Sequence, residues 1–182
     1  MFSPKRINVS DFVFCPHCKA PLIDRLVEQV PRRVCSNACG FVHYDNPTPV
    51  VAAVVEHEDL VVLAHNRAWP ANWYGLITGF LERAEAPEAA VLREVKEELG
   101  LHATEATLVG VYPFERMNQV IIGYHVVATG QIKLNEELDD FRRIAPQKCR
   151  AWPVATGFVL RDWLRSRGFE PEMVPLGDER HG

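Results

Sequence analysis

The segment from Gly79 to Leu101 constrains the fold more than any other part of the chain. Pro87 suits the first turn of a helix and Gly100 suits the position just after one, so the sequence predicts a helix between them. At about 100° per residue, the aliphatic residues of this helix share one face, which should pack on a sheet. That face consists of Val91, Leu92, Val95 and Leu99.

Three glutamates lie on the opposite arc of the same helix, which we expect to be exposed to solvent. They are Glu94, Glu97 and Glu98. A cluster of carboxylates is a common ligand set for Mg²⁺, although a glutamate-rich helical face is also often simply solvated. The preceding loop favours the metal site, because Glu85 can pair with Arg93 and the segment has six Glu against three Lys or Arg.

Apolar, β-branched stretches on both sides of this helix predict a sheet. Residues 50–55 and 60–65 form a hairpin pattern around a charged turn, and residues 120–129 form a further strand. A second helix is predicted over residues 154–167. The predicted fold class is therefore α/β, with at least two helices packed on a sheet.

Four of the five cysteines form two close pairs, with the spacings C-x2-C and C-x3-C. The four are Cys15, Cys18, Cys35 and Cys39. In a reducing compartment this spacing favours metal ligation over disulfides, and four thiolates can close a tetrahedral shell around a structural Zn²⁺. His17 and His43 lie beside the pairs and either could replace a cysteine, but four thiols suffice. We expect Cys149 to be a lone thiol that binds no metal.

The length of 182 residues suits one domain with a small satellite. Prolines and turn formers at residues 44–49 predict a linker, with a zinc ribbon over residues 11–45 before it. That region has six Lys or Arg, counting Lys5 and Arg6, against four Asp or Glu. The whole chain has a net charge of −4, which is unfavourable for a general nucleic-acid coat. The sequence therefore keeps an RNA partner as an alternative but does not favour it.

No membrane role is expected from the apolar stretches of the chain. The longest, residues 49–55, is far shorter than the roughly 20 residues that a membrane helix needs. Residues 1–12 lack an apolar run of signal-peptide length. We therefore expect a cytoplasmic protein.

The spacing G-x5-E-x7-R-E-U-x-E-E-x-G-U, with U a bulky aliphatic residue, is the signature of the Nudix hydrolase family. This chain matches it at every position, through Gly79, Glu85, Arg93, Glu94, Val95, Glu97, Glu98, Gly100 and Leu101. The resemblance implies an α/β/α sandwich with a mixed sheet over residues 47–170. It also implies hydrolysis, with Mg²⁺ or Mn²⁺, of a nucleoside diphosphate linked to another moiety.

The resemblance also implies the roles of individual residues. Glu94 and Glu98 would bind the catalytic metal and help to activate water, and Glu97 would be a further or a water-mediated ligand. Glu85 and Arg93 would brace the loop. The backbone carbonyl of Thr78, just before the first glycine of the signature, would join the metal shell.

Similar proteins add one more acidic residue from a later loop, and the candidates here are Glu136 and Glu137. We favour Glu137, because an acid three residues later, here Asp140, recurs in similar proteins. A solvated acidic loop is the alternative interpretation of this segment.

A zinc ribbon ahead of a Nudix domain is similar to the order in NADH pyrophosphatases. Those proteins carry Ser-Gln-Pro-Trp-Pro-Phe-Pro-x-Ser after the Nudix element, whereas residues 111–119 here read Val-Tyr-Pro-Phe-Glu-Arg-Met-Asn-Gln. The overall layout also resembles FAD and ADP-ribose pyrophosphatases. We therefore expect cleavage of a dinucleotide of the FAD, ADP-ribose or NADH type. A nucleotide-sensing protein and a hydrolase of NAD-capped RNA are the alternatives.

Two further points stay open at this stage. Related proteins are often dimers, so a homodimer is one alternative for the oligomeric state. Five aromatic residues near the catalytic loop or the strand after it are candidates to stack on a base, with core packing as the alternative. They are Trp69, Trp73, Tyr74, Tyr112 and Phe114.

Overall fold

The computed structural model describes residues 12–176. Residues 1–11, which make up most of the segment considered for a signal peptide, lie outside the described residues, as do residues 177–182. The chain divides into two compact units, Met1–Pro47 and Thr48–Gly182. The exact limits expected for the ribbon, 11–45, and for the second domain, 47–170, stay predictions.

The first unit contains a three-stranded antiparallel sheet in the order β1-β2-β3. Its strands are β1 (Leu22–Val27), β2 (Val30–Cys35) and β3 (Val42–His43). Its buried core is small and consists of Leu22 with Cys15 and Cys35. A core of this size supplies little folding energy, so a unit like this usually needs a metal or a disulfide to be stable.

The second unit is built on a six-stranded mixed sheet. Its strands are β4 (Thr48–His57), β5 (Leu60–Asn66), β6 (Ile77–Phe80), β7 (Thr107–Phe114), β8 (Gln119–Val127) and β9 (Leu138–Ile144). Five of them follow the order β7-β8-β4-β5-β9, and β6 pairs with β4. Strands β4 and β8 run parallel, whereas the other pairs are antiparallel.

Two helices pack on this sheet, α1 (Pro87–Leu99) and α2 (Thr156–Ser166). Strand β4 lies at the centre and separates two cores, because alternate residues of a strand point to opposite faces. Val51 belongs to the core that contains Val91 and Val95 of α1. Val50 belongs to the core that contains Val159 of α2. The predicted α/β class and α/β/α sandwich are confirmed.

Helix α1 begins and ends where its sequence predicts. Pro87 occupies its first turn, and Gly100 caps its carboxyl end with a φ of 65°. Glycine adopts this left-handed conformation without the steric cost of a side chain. None of the helices within residues 12–176 combines the length and the apolar character that crossing a membrane would require.

Candidate active site

The Arg93 guanidinium organises the loop that precedes helix α1. Its Nε and Nη2 atoms donate to the two carboxylate oxygens of Glu85, at 2.9 and 3.0 Å, and Nη2 also donates to the carbonyl of Phe80 at 3.2 Å. These hydrogen bonds, with another from the backbone N–H of Glu82, hold the pKa of Glu85 at about 2. The two residues therefore make the contact that bracing the loop requires, while their part in catalysis stays a prediction.

The same guanidinium reaches two of the helix glutamates. Nη1 donates to Glu94 Oε1 at 2.7 Å and to Glu97 Oε2 at 3.1 Å. The Glu94 carboxylate also lies directly against Gly79, where a Cβ atom would come within 1.9 Å of Glu94 Oε1. Gly79 lies in strand β6, where it pairs with Val51 of β4. This pairing holds in place the Gly79 backbone that the Glu94 carboxylate contacts.

The expectation that all three glutamates lie on an exposed arc is wrong. Glu98 is only 9% exposed, and the side chain of Glu94 is 13% exposed, whereas that of Glu97 is 56% exposed. At about 100° per residue, Glu98 falls only about 20° from the buried Val91, at the edge of the apolar face, so the helix itself turns Glu98 towards the sheet. Of the three side chains, only that of Glu97 is largely exposed to solvent.

Burial and neighbouring negative charges make Glu98 hard to ionise. Desolvation, followed by the charges of Glu94, Glu137 and Glu97, raises the pKa of Glu98 to about 8. Burial also raises the pKa of Glu94. Ionising all of these carboxylates together is unfavourable in the protein alone, and a bound divalent cation would make it favourable.

A later loop brings Glu137 to this site. The backbone N–H of Lys133 donates to the carbonyl of Leu99 at 2.8 Å, and that of Asn135 donates to the carbonyl of Glu98 at 3.2 Å. The loop is therefore attached to the carboxyl end of α1. The charge of Glu137 raises the pKa of both Glu98 and Glu94. This supports the choice of Glu137 over Glu136, although metal binding by either stays a prediction.

The carboxylates are near one another but not tightly clustered. Among the described residues, no three Asp or Glu side chains have oxygens within 4.8 Å of one another. Arg93 binds Glu94 and Glu97, and the negative charges of the carboxylates repel one another.

Thr78 lies in β6, paired with Ala52 and half-buried. Carboxylate and carbonyl oxygens of this kind are the donors that Mg²⁺ and Mn²⁺ prefer.

The four paired cysteines form a compact group in the first unit. Their sulfur atoms all lie within 4.8 Å of one another, and none is in a disulfide. His17 and His43 are not in this group; their rings pack on Phe41 and Phe12. The backbone N–H of Cys39 and other hydrogen bonds lower the pKa of Cys35 to about 6, which favours its thiolate. Four sulfur donors without an open position fit a structural Zn²⁺.

Cys149 lies apart from the cysteine group, in the second unit. It is 4% exposed, and its thiol donates to the carbonyl of Ile144 at 3.7 Å. Burial raises its pKa to about 12. These properties are those of an unreactive core thiol.

Two of the aromatic candidates for base stacking are engaged elsewhere. The ring of Tyr74 is buried, with its hydroxyl donating to Asp140 at 2.5 Å and the guanidinium of Arg142 over its face. The hydroxyl of Tyr112 donates to Asp162 at 2.8 Å. Asp140 is therefore a partner of Tyr74, which holds its pKa below the ordinary value.

The comparisons with known proteins agree with this fold, and the family match includes the segment from Gly79 to Leu101. Residues 46–161 match the family model of the NUDIX domain. The chain belongs to the NUDIX domain family, which confirms the resemblance on which the site was predicted.

The relatives found by sequence include proteins named NAD-capped RNA hydrolase NudC. The one from Stutzerimonas stutzeri is 30% identical over 176 residues, which cover 93% of this chain and 62% of that protein. The one from Pseudomonas aeruginosa is 28% identical over 130 residues, covering 70% of this chain and 45% of that protein. The chain thus spans less than two thirds of the length of these relatives.

Solved structures share the fold at lower identity. The crystal structure of a NUDIX hydrolase from Nitrosomonas europaea matches with a TM-score of 0.71 and 24% identity, covering 89% of this chain and 98% of that one. An ADP-ribose pyrophosphatase from Streptococcus suis matches with a TM-score of 0.55 and 17% identity, over 71% of this chain and all of that one (100%). These similarities show a common architecture.

Proposed function

We propose that this protein is a metal-dependent hydrolase that splits the pyrophosphate of a nucleoside diphosphate linked to another group and releases a mononucleotide. The observation that carries the proposal is the buried carboxyl group of Glu98, whose pKa is raised by burial and by the charges of Glu94 and Glu137. Placing other carboxylates around a buried one is costly for stability, and it is useful where a cation must bind.

In this proposal Glu94, Glu98 and Glu137 hold Mg²⁺ or Mn²⁺, with Glu97 and the Thr78 carbonyl as further donors. The bound ion would neutralise charge on the pyrophosphate and lower the pKa of the attacking water. Arg93 and Glu85 keep the loop before α1 in place. Arg93 also orients the Glu94 carboxylate through its 2.7 Å hydrogen bond.

The substrate class is proposed to be a dinucleotide such as FAD, ADP-ribose or NADH. A second candidate is NAD-capped RNA, which is favoured by the 30% identity to the S. stutzeri NudC protein over 93% of this chain. The segment that differs from the NADH pyrophosphatase pattern forms the end of β7, a short 3₁₀ turn and the start of β8. A difference in this segment is compatible with either substrate.

We also propose one structural Zn²⁺ in the first unit, bound by the four clustered cysteines. Its closed set of four thiolates would stabilise the small core around Leu22. The homodimer implied by the family resemblance remains a proposal, which sedimentation or light scattering of the purified protein tests.

The test is turnover of FAD, NADH, ADP-ribose and NAD-capped RNA with Mg²⁺ or Mn²⁺. We expect cleavage of at least one of them, and a loss of about 100-fold or more in Glu94→Gln and Glu98→Gln. Lys96→Ala is the control, because Lys96 is exposed on the same helix. Binding of nucleotides without any turnover would favour the sensing alternative. Wild-type kcat in both Gln variants would show that the site is wrongly assigned.

A further inference from the structure

The carboxyl end of helix α1 is completed by the loop at residues 133–137. The last carbonyl groups of a helix have no partner within the helix itself. Here the carbonyls of Leu99 and Glu98 accept hydrogen bonds from the backbone N–H groups of Lys133 and Asn135. Gly100 eases this approach, because a Cβ atom at that position would make a tight contact of 3.2 Å with Lys133. The loop and the helix end therefore form one hydrogen-bonded unit.

Asn135 makes a second set of contacts with its side chain. Its Oδ1 accepts from the backbone N–H of Glu137 at 3.0 Å and from that of Leu138 at 3.2 Å. An Asn side chain that bonds to the backbone two residues later defines the course of a turn. On the other side, the carbonyl of Glu137 accepts from the N–H of Arg67 at 2.9 Å. The backbone of Glu137 is thus held in place although its side chain is exposed.

We propose that Asn135 is the positioning residue that sets Glu137 relative to Glu98. Its backbone N–H is bonded to the residue that carries one carboxylate, and its side chain is bonded to the residue that carries the other. The inference rests on the proposed function, in which both carboxylates hold the divalent ion. Without Oδ1 the turn loses both of these hydrogen bonds, and the position of Glu137 relative to Glu98 is less firmly set.

The test measures Mn²⁺ affinity of the full chain by electron paramagnetic resonance, alongside kcat as a function of Mn²⁺. Asn135→Leu keeps the approximate size of the side chain but removes the acceptor, and should weaken Mn²⁺ binding by about 10-fold or more, as loss of a residue that supports a ligand does. Its kcat should recover at high Mn²⁺. Asn135→Asp keeps an acceptor oxygen and should bind Mn²⁺ nearly as the wild type does. Gln131→Leu is the matched control, because Gln131 is an exposed amide side chain four residues earlier in the chain. Asn135→Ala replaces Asn135→Leu if the latter does not fold.

Glu137→Gln, measured in parallel, separates the two levels of the proposal. If Glu137→Gln weakens Mn²⁺ binding and Asn135→Leu does not, the role of Asn135 is refuted and the proposed site stands. An equal loss in Asn135→Leu and Asn135→Asp would also refute it, since the acceptor would not be the cause. A lower melting temperature with unchanged affinity would make Asn135 a structural residue only. Unchanged binding in both Glu137→Gln and Glu98→Gln would instead refute the proposed metal site.

Discussion

The carboxylate of Glu94 occupies the space that a side chain at position 79 would need. A Cβ atom on Gly79 would come within 1.9 Å of Glu94 Oε1 and 2.0 Å of Glu94 Cδ. Atoms do not approach so closely, so one of the two residues would have to move. The glycine at the start of the signature therefore leaves the space that the Glu94 carboxylate occupies, and a side chain there would displace the carboxylate.

The first prediction concerns this contact. Gly79→Ala should displace the Glu94 carboxylate and lower kcat by about 100-fold, because misplacing a reactive group by about 1 Å has an effect of that size. Steady-state kinetics and Mn²⁺ affinity measure the change. Gly168→Ala is the control, since its Cβ meets no atom within 4 Å.

Gly168 has a φ of 83°, so alanine there strains the backbone and costs about 1 kcal/mol of stability. The control should therefore lower the melting temperature while kcat is retained. Equal effects of the two alanines on kcat would contradict the assignment of a specific role to Gly79.

The second prediction concerns the loop before α1. Arg93→Lys keeps the charge but cannot donate simultaneously to Glu85, Glu94 and the Phe80 carbonyl, because an ammonium group lacks the planar fork of guanidinium. We expect kcat to fall by one to two orders of magnitude, roughly as for other small displacements of reactive groups, with KM changed less.

Arg83→Lys makes the same exchange at an exposed position of the same loop, and should leave kinetics unchanged. Normal kcat in Arg93→Lys would mean that charge alone, without the fork of hydrogen bonds, is enough to hold the loop.

The third prediction is a dependence of stability on pH due to Glu98. Its pKa in the folded protein is about 8, against an ordinary value of 4.5. As pH rises from about 4.5 to about 8, the unfolded chain loses this proton and the folded chain keeps it, so the free energy of unfolding decreases. Glu98→Gln has no proton to lose there.

Urea unfolding without added Mg²⁺ or Mn²⁺ measures this effect. The stability of the wild type relative to Glu98→Gln should decrease between pH 5 and pH 8. The comparison of two variants cancels contributions from the cysteines and from other groups that do not interact with Glu98. Parallel pH profiles would show that Glu98 is not held in its protonated form.

The fourth prediction concerns zinc. The freshly purified protein should contain one Zn²⁺ per chain by elemental analysis, and Cys35→Ser should contain none, because three sulfurs leave the tetrahedral shell incomplete. Hydrogen exchange in β1 and β2 should then become faster. Cys149→Ser should keep its zinc, since Cys149 is buried in the second unit. Absence of zinc from the wild type would refute the site.

Much of the candidate site is predictable because its signals are local. Helix α1 follows from its own periodicity and from Pro87 and Gly100, and the pairing of Arg93 with Glu85 follows from their spacing. The role of Asn135 has no such signal, because it depends on a loop meeting a helix end more than 30 residues away, as the hydrogen bond from Asn135 to the Glu98 carbonyl shows.

Some strands were also beyond prediction. Strand β9, with the sequence LDDFRRI, is rich in charge and lacks apolar alternation. It exists as a strand because it pairs with β5 along the edge of the sheet, in a register from Val61↔Ile144 to Asn66↔Leu138. A strand forms its hydrogen bonds with a partner strand, so the sequence of one strand alone does not reveal them.

By itself the sequence determined the α/β class, helix α1, the four-cysteine group and the set of candidate carboxylates, since each depends on residue types at short spacings. Only the tertiary structure decided how deeply Glu98 is buried and that the loop carrying Glu137 is bonded to the end of helix α1. Burial and charge coupling depend on what packs beyond the helix, and those neighbours come from distant parts of the chain. The close approach of Gly79 to Glu94 was decided in the same way, by the position of β6 on the central sheet.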